Sequence, residues 1–277
     1  MDEKTVRALG AINRDFYRDS AAAFSETRRN SWPGWEPLVG WIEDRLPSRA
    51  LKVLDVGCGN GRFGAFLADA LHERAADIDY CGLDASEALL DSVRSRRLPV
   101  ATAELLLADL IETPLDSLLA DRAFSLIAVF GLLHHIPSEQ GRTALLSALA
   151  RRLEPGGLFA LAFWRFGDFE RFRVRRKTFE EWNRDAPEAI DLSQLEPGDT
   201  LLRWGEGPDA VRYCHHVDDA EAERLLEAAG LERLACYDAD GREGNLNRYF
   251  VLVARGKIEQ STTDRGQRRD RFRTRAR

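Results

Sequence analysis

At 277 residues, with 44% hydrophobic and 31% charged side chains, the chain is long enough to bury a sizeable core, and no apolar run approaches the length of a membrane span. The formal charge of −6 is uneven: residues 257–277 hold eight Lys/Arg against three Asp/Glu, an excess of five, which leaves the rest at −11 and argues against broad nucleic-acid binding by the core. The four cysteines form no CxxC pair and the Met-Asp-Glu-Lys start lacks a signal-peptide core, so a cytoplasmic protein without disulfides or structural zinc is expected.

Residues 2–20 read as a helix with Val6, Leu9, Ile12 and Phe16 on one face. The segment Phe24 to Trp35 packs three aromatics and a proline among polar residues. It suits either a packed N-terminal element or a lid over a ligand, with Tyr17 and Arg28 facing that ligand. A second helix is expected from Trp35 to Arg45, closed by Pro47. Residues 1–48 are thus taken as a helical lid and 49–256 as the main domain.

The main domain opens on Leu51-Lys-Val-Leu-Asp-Val-Gly-Cys-Gly-Asn-Gly-Arg-Phe63. An apolar strand runs into Gly57, Gly59 and Gly61 and then into residues at helical spacing, the context in which a glycine-rich loop binds a ligand. The Gly-Lys-Ser/Thr of a P-loop is absent, and the glycines read G-x-G-x-G rather than the G-x-G-x-x-G of dinucleotide sites. Asp79–Asp84 is a second strand ending in an acid, followed by Ser86 as a helix N-cap; Leu105–Asp109 is a third. An acid at the end of a second strand can accept hydrogen bonds from ribose hydroxyls.

Asp55-x-Gly-x-Gly-x-Gly resembles the first motif of class I S-adenosylmethionine (SAM) methyltransferases. The resemblance implies that Asp55, Gly57, Cys58, Gly59, Asn60 and Gly61 hold the amino-acid end of SAM. It also implies that Asp84, Ala85 and Ser86 meet the ribose and that Asp109 and Leu110 read the adenine. Asn13-Arg-Asp-Phe-Tyr17, Phe24-Ser-Glu-Thr-Arg28 and Trp32-Pro33 are similar to the N-terminal signature of eukaryotic tRNA methyltransferases that esterify 5-carboxymethyluridine at the wobble position. Members of that group work with a small zinc-binding activator protein, which makes such a partner an expectation here.

Phe124–Val129 is almost wholly apolar and should be a central strand. Phe130, Gly131 and Leu132 follow at its carboxyl end, where open α/β sheets bind ligands, and should line the methyl-donor pocket. His134 and His135 sit at the same mouth; His135 is a candidate general base, or a packing residue. A helix over 142–153, the Glu154-Pro-Gly-Gly157 turn and a fifth strand to Phe163 come next.

Residues 164–217 break the alternation. Arg165, Arg171, Arg173, Arg175, Arg176 and Lys177 are interleaved with Trp164, Phe166, Phe169, Phe172 and Phe179. Such a pattern suits an RNA surface, or an added helix with one buried and one solvated side. Arg212, Tyr213 and His215 match an Arg-Tyr-Tyr-His segment of the wobble-uridine group, with Cys214 in place of the second Tyr, and are candidates for a substrate clamp. His215-His216 is rejected as a metal site because no third ligand is evident nearby in the sequence. A helix over 220–229 and antiparallel strands over 231–236 and 248–254 complete the domain, and 257–277 reads as a basic, disordered tail.

The fold expected is α/β and doubly wound: a seven-stranded, mostly parallel, Rossmann-like sheet in the order 3-2-1-4-5-7-6, with the N-terminal lid and the 164–217 insertion over the strand carboxyl ends. The activity expected is SAM-dependent methyl transfer to tRNA, with a small-molecule carboxylate or other metabolite as the alternative acceptor and a non-catalytic SAM-binding role as a third reading.

Overall fold

The computed structural model describes residues 1–27, 30–47, 50–205 and 210–256; Arg28 and the basic tail lie outside the described residues. In chain order the first elements are α1 (Glu3–Glu26), α2 (Glu36–Arg45), β1 (Leu51–Val56), α3 (Arg62–Ala70), β2 (Ile78–Asp84), α4 (Glu87–Arg96), β3 (Thr102–Leu107), α5 (Leu115–Leu119), β4 (Phe124–Phe130), α6 (Glu139–Arg151) and β5 (Leu153–Trp164). Then come α7 (Glu170–Arg173), β6 (Arg176–Lys177), α8 (Phe179–Asp185), β7 (Asp199–Arg203), β8 (Val211–His215), α9 (Asp219–Ala228), β9 (Leu231–Ala239) and β10 (Asn247–Ala254).

The main sheet has seven strands in the order β3-β2-β1-β4-β5-β10-β9, which is the expected 3-2-1-4-5-7-6. β1, β2, β3, β4 and β5 run parallel, and β10 is antiparallel to both β5 and β9. β4 is buried along its whole length, as its apolar run requires of a strand covered on both faces. One face packs Ile127, Val129 and Phe159 against Leu146 and Leu149 of α6 and Leu225 of α9. The other packs Val53, Leu126 and Ala160 against Leu38 and Ile42 of α2, Leu67 of α3 and Leu90 of α4. Both layers place the carboxyl ends of β1, β2 and β4 at a common edge, where the reversal of strand order opens a crevice.

Several elements depart from the sequence reading. The helix expected to Leu153 ends at Arg151, and Glu154-Pro-Gly-Gly157, expected as a turn, lies inside β5, where pairing with β4 shifts register between Phe124 and Leu126. α1 runs to Glu26, six residues past the expected end, so Ser25 and Glu26 lie inside the helix. Its N-terminus is capped by Asp2, whose carboxylate accepts from the Thr5 amide at 2.8 Å. The insertion is built on a second, antiparallel sheet, β6-β7-β8, with two short helices, α7 of four residues and α8 of seven, which buries Phe179. α1 packs Leu9 and Ile12 onto Leu201 of β7 and Val211 and Tyr213 of β8. Helix and small sheet thereby form one wall over the crevice. No helix among the described residues is long and apolar enough to cross a membrane.

Candidate active site

The crevice is a cleft of about 900 Å³ that runs from the glycine loop to the small sheet. At its first end the chain leaves β1 through Gly57, Gly59 and Gly61 with φ of +75°, +55° and +73°. Three left-handed residues within five positions are cheap only for glycine. Gly61 caps α3, and a Cβ there would lie 2.9 Å from Val93; a Cβ on Gly59 would meet nothing within 4 Å, so the loop backbone is open at that point. The Gly57 and Cys58 amides donate to the Leu83 carbonyl at 2.7 and 3.0 Å and fix the loop to the end of β2.

Carboxylates line this end. Asp84 accepts from the Gly59 amide at 2.8 Å and from the Ser86 amide at 2.9 Å. Burial raises its pKa, and the amide donors of Ser86, Gly59 and Ala85 hold part of that rise back. Asp55 is almost fully buried and accepts from the Tyr80 hydroxyl at 2.6 Å; burial pushes its carboxyl up to about 7, against the pull of that hydroxyl. Asp109 accepts from the Ile111 amide at 2.9 Å and from Arg14 of α1 at 2.7 Å. Ala85, Ser86, Leu110, Phe130, Gly131 and Leu132 also line the cleft. Asn60 donates to Ser25 of α1 at 2.9 Å, and Cys58 is a buried thiol whose pKa burial and the nearby Asp55 and Asp84 raise. An open loop backbone, acids at three strand ends and apolar walls suit a ligand with a cationic end, ribose hydroxyls and a flat base. SAM fits that donor and acceptor set.

Midway, α1 brings Tyr17 over the mouth of β4. The Tyr17 hydroxyl lies 3.0 Å from His135 Nε2, and His135 Nδ1 lies 2.9 Å from the Tyr213 carbonyl. A carbonyl only accepts, so Nδ1 carries the proton and Nε2 accepts from Tyr17. Burial, with the Arg212 charge adding to it, drives the His135 pKa down to about 3. His135 is therefore neutral, and too weak a base to hold a proton taken from a substrate. Its two hydrogen bonds make His135 a contact between α1, β8 and the mouth of β4, in line with the packing alternative of the sequence reading.

At the far end Arg212 is buried beside Trp164, with its guanidinium 5.0 Å from that ring and 5.5 Å from the ring of Phe16. Its Nε has no hydrogen-bond partner among the described residues. Trp164, Phe172, Leu202 and Trp204 complete this part of the cleft, and Arg175 and Arg203 stand at its rim.

Tyr213 and His215 do not join Arg212 in the cleft. Side chains alternate along a strand, so Arg212 takes one face of β8 and Tyr213 and His215 the other. The Tyr213 hydroxyl donates to Asp199 at 2.6 Å. His215 lies between Asp199 at 2.7 Å and Glu221 at 2.9 Å, and Glu221 also pairs with the fully buried Arg142 at 2.6 Å. Arg142 reaches Glu196 at 2.8 Å and donates to the Ile136 carbonyl at 3.0 Å. Burial alone would lower the His215 pKa, but its hydrogen bonds to Asp199 and Glu221 outweigh that and raise it. This buried network ties β7 and β8 to α6 and α9. It does bring Glu196 and Asp199 beside His215, third ligands that the sequence spacing hid, yet His215, Asp199 and Glu196 are already hydrogen-bonded to protein groups. His134, His135 and Cys214 also cluster, with the Cys214 thiol pushed up to about 12 by burial.

Asp240 is a cleft residue the sequence reading missed. It sits in the β9–β10 hairpin at φ +66°, buried, and accepts from the Gly34 amide at 2.9 Å, from Asn247 at 2.8 Å and from the Tyr249 hydroxyl. A Cβ at Gly34 would lie 2.2 Å from the Tyr249 ring, so the Trp32-Pro33-Gly34 turn can seat here only with glycine. The Asp240-Gly241 pair was the available signal, but it reads as an ordinary hairpin turn. Asn13 and Arg14 of α1 line the cleft as well, a helical turn before Tyr17.

Residues 53–157 match a family model described as a methyltransferase domain. In sequence, the tRNA (carboxymethyluridine(34)-5-O)-methyltransferase of Xenopus tropicalis is 32% identical over 168 residues, which is 58% of this chain and 23% of that protein. The chain spans only 19–36% of the length of the first relatives it matches. Among solved structures, a SAM-dependent methyltransferase of Methanosarcina mazei superposes with a TM-score of 0.57 at 18% identity, covering 83% of this chain and all of that one. The 1,6-didemethyltoxoflavin-N1-methyltransferase of Burkholderia thailandensis, solved with S-adenosylhomocysteine, gives 0.56 at 14% identity and covers 89% and 88%. These likenesses establish the class I fold.

Proposed function

For a chain that carries a class I SAM-dependent methyltransferase domain, we propose methyl esterification of a carboxylate on tRNA, with 5-carboxymethyluridine or a close relative as the acceptor and the cytoplasm as its place of work. The observation that carries this reading is a buried Arg212 at the far end of the cleft, with a neutral His135 between it and the glycine loop. A nucleophile that must lose a proton needs a base, and His135 is held neutral with a pKa near 3. A carboxylate is already ionised and needs a cation that desolvates and aligns it. Arg212 is that cation: buried, stacked on aromatic rings and without a carboxylate of its own among the described residues.

SAM, when bound, supplies an electrophilic methyl group on a sulfonium. Asp84 is assigned to the ribose hydroxyls, the 57–61 loop and Asp55 to the amino-acid end, and Asp109 with Leu110 to the adenine. Closure of the Tyr17 and Trp32 segments over the cleft would exclude water from the reacting atoms. Tyr213 and His215 hold β8, and through it Arg212, in place. The relatives named for carboxymethyluridine support tRNA as the substrate class, and the insertion supports an RNA face beside the cleft. A small activator protein is a further partner this reading allows.

The test is tritium transfer from methyl-labelled SAM to tRNA rich in 5-carboxymethyluridine. The expected product is label in tRNA that mild alkali releases as volatile methanol. Label that resists alkali, or that enters only a small-metabolite fraction, would overturn the ester-on-tRNA reading.

A further inference from the structure

We propose that the ridge Arg171–Lys177 at the rim of the cleft is the surface that grips the RNA phosphates flanking the acceptor nucleoside. The inference rests on the tRNA reading and deepens it by naming where the polyanion lies. The sequence offers six cations in the first part of the insertion, and the structure divides them. Arg165 is held by Asp168 at 2.8 Å and Asp238 at 3.0 Å, and Arg173 by Glu170 at 3.3 Å. Arg171, Arg175 and Arg176 are exposed and have no carboxylate partner among the described residues. Several surface arginines elsewhere are tied to acids, Arg18 to Asp15 and Asp19, Arg94 to Glu87 and Asp91, and Arg224 to Glu139. Of the acids beside the ridge, Glu181 accepts from the Thr178 amide and Glu170 pairs with Arg173.

Three features suit a nucleic acid. Arg171 lies 5.3 Å over Phe169 and 4.9 Å over Phe172, an arrangement that fixes the guanidinium without neutralising it. Val174, in the middle of the ridge, is 71% exposed, the most exposed of the large apolar side chains among the described residues. It offers an apolar contact to a sugar or base between the cations. The ridge is also continuous with the site, because Phe172 and Arg175 line the cleft. It is anchored by backbone: the Arg203 amide donates to the Arg175 carbonyl at 2.9 Å and the Arg203 guanidinium to the Arg176 carbonyl at 2.9 Å. A strand threaded along these cations would deliver a splayed-out base toward Trp164 and Arg212 while the rest of the acidic body repels it.

The experiment compares the wild type with a double variant, Arg171→Gln and Arg176→Gln, both at exposed positions outside the cleft lining. Affinity for total tRNA is measured between 50 and 200 mM salt, with binding of S-adenosylhomocysteine and of free 5-carboxymethyluridine nucleoside as internal controls. The expected result is a log–log salt slope shallower by about 2, as losing two phosphate contacts requires, and a tRNA KM raised about tenfold with kcat and both controls unchanged. A wild-type slope retained by the variant overturns the ridge and leaves the esterification intact. Equal loss of nucleoside binding overturns it too, since the substitutions would then act on the inner cleft. Failure of the wild type to place alkali-labile label in tRNA sinks the underlying reading instead, a result the variant's salt slope cannot imitate.

Discussion

The two ends of the cleft use burial to opposite effect. At the glycine-loop end burial raises the pKa of Asp55 and Asp84, so these carboxylates gain from a cationic or hydroxyl-bearing ligand. At the small-sheet end burial encloses Arg212, whose guanidinium has aromatic rings rather than acids around it. The first end is organised by backbone, three glycines and the amides they expose. The second is organised by side chains on a strand whose far face is locked into an ionic network. A cleft acidic at one end and cationic at the other suits a positively charged donor and a negatively charged acceptor, with the neutral His135 between them. The difference teaches that the residue types at this mouth matter less than which face of a strand presents them.

The largest effect should come from breaking what holds the second end in place. Glu221→Ala leaves Arg142 and His215 facing a missing carboxylate and should cost about 3–5 kcal/mol of stability, read by urea or thermal unfolding. An effect below about 1 kcal/mol would mean the small sheet does not depend on this network. The next is Arg212→Met, which keeps most of the packing between Phe16 and Trp164 but removes the charge. Loss of a charged group's pairing with substrate, about 2–5 kcal/mol, predicts a fall in kcat/KM of at least about thirtyfold with SAM affinity within a factor of two. Equal loss of SAM affinity would move Arg212 to the other end of the cleft.

Asp55 supplies a smaller, pH-dependent effect at the first end. Its carboxyl titrates near 7 in the ligand-free protein, and a cationic ligand beside it favours the ionised form. Binding of SAM below pH 7 should therefore release up to one proton, and affinity should rise with pH until about 7. Calorimetry at pH 6 in buffers of different ionisation enthalpy measures this, and Asp55→Asn should abolish the release. Without ligand the sign on stability is the reverse. The folded state holds a proton that the unfolded chain gives up near its ordinary value of 3.8, so this group's contribution declines as pH rises from about 4 to about 7.

Much of the first end was legible in the sequence because its chemistry is local. The Gly57–Gly61 spacing, the Asp84 and Ser86 pair after β2 and the apolar run of β4 each carry their structure within a few residues. The strand order followed from the family resemblance, and the Asp218 cap of α9 from its position before an amphipathic run. The second end was not local. β6 has two residues and β7 and β8 five each, too short to show a period, and they pair across segments with no regular pattern. Arg212, Tyr213 and His215 look like one clamp because together they match one segment of the wobble-uridine group, and the two-residue alternation of β8 separates them. Asp240 was illegible because its role depends on Gly34, over two hundred residues away.

The central claim, that the far end of the cleft is built for an anion, is tested most directly by equilibrium binding. The protein saturated with S-adenosylhomocysteine is titrated with 5-carboxymethyluridine and with its uncharged amide, 5-carbamoylmethyluridine. The account predicts at least about tenfold tighter binding of the carboxylate, and near-equal binding of the two by Arg212→Met. Equal affinity in the wild type, or a carboxylate preference that survives Arg212→Met, would contradict it.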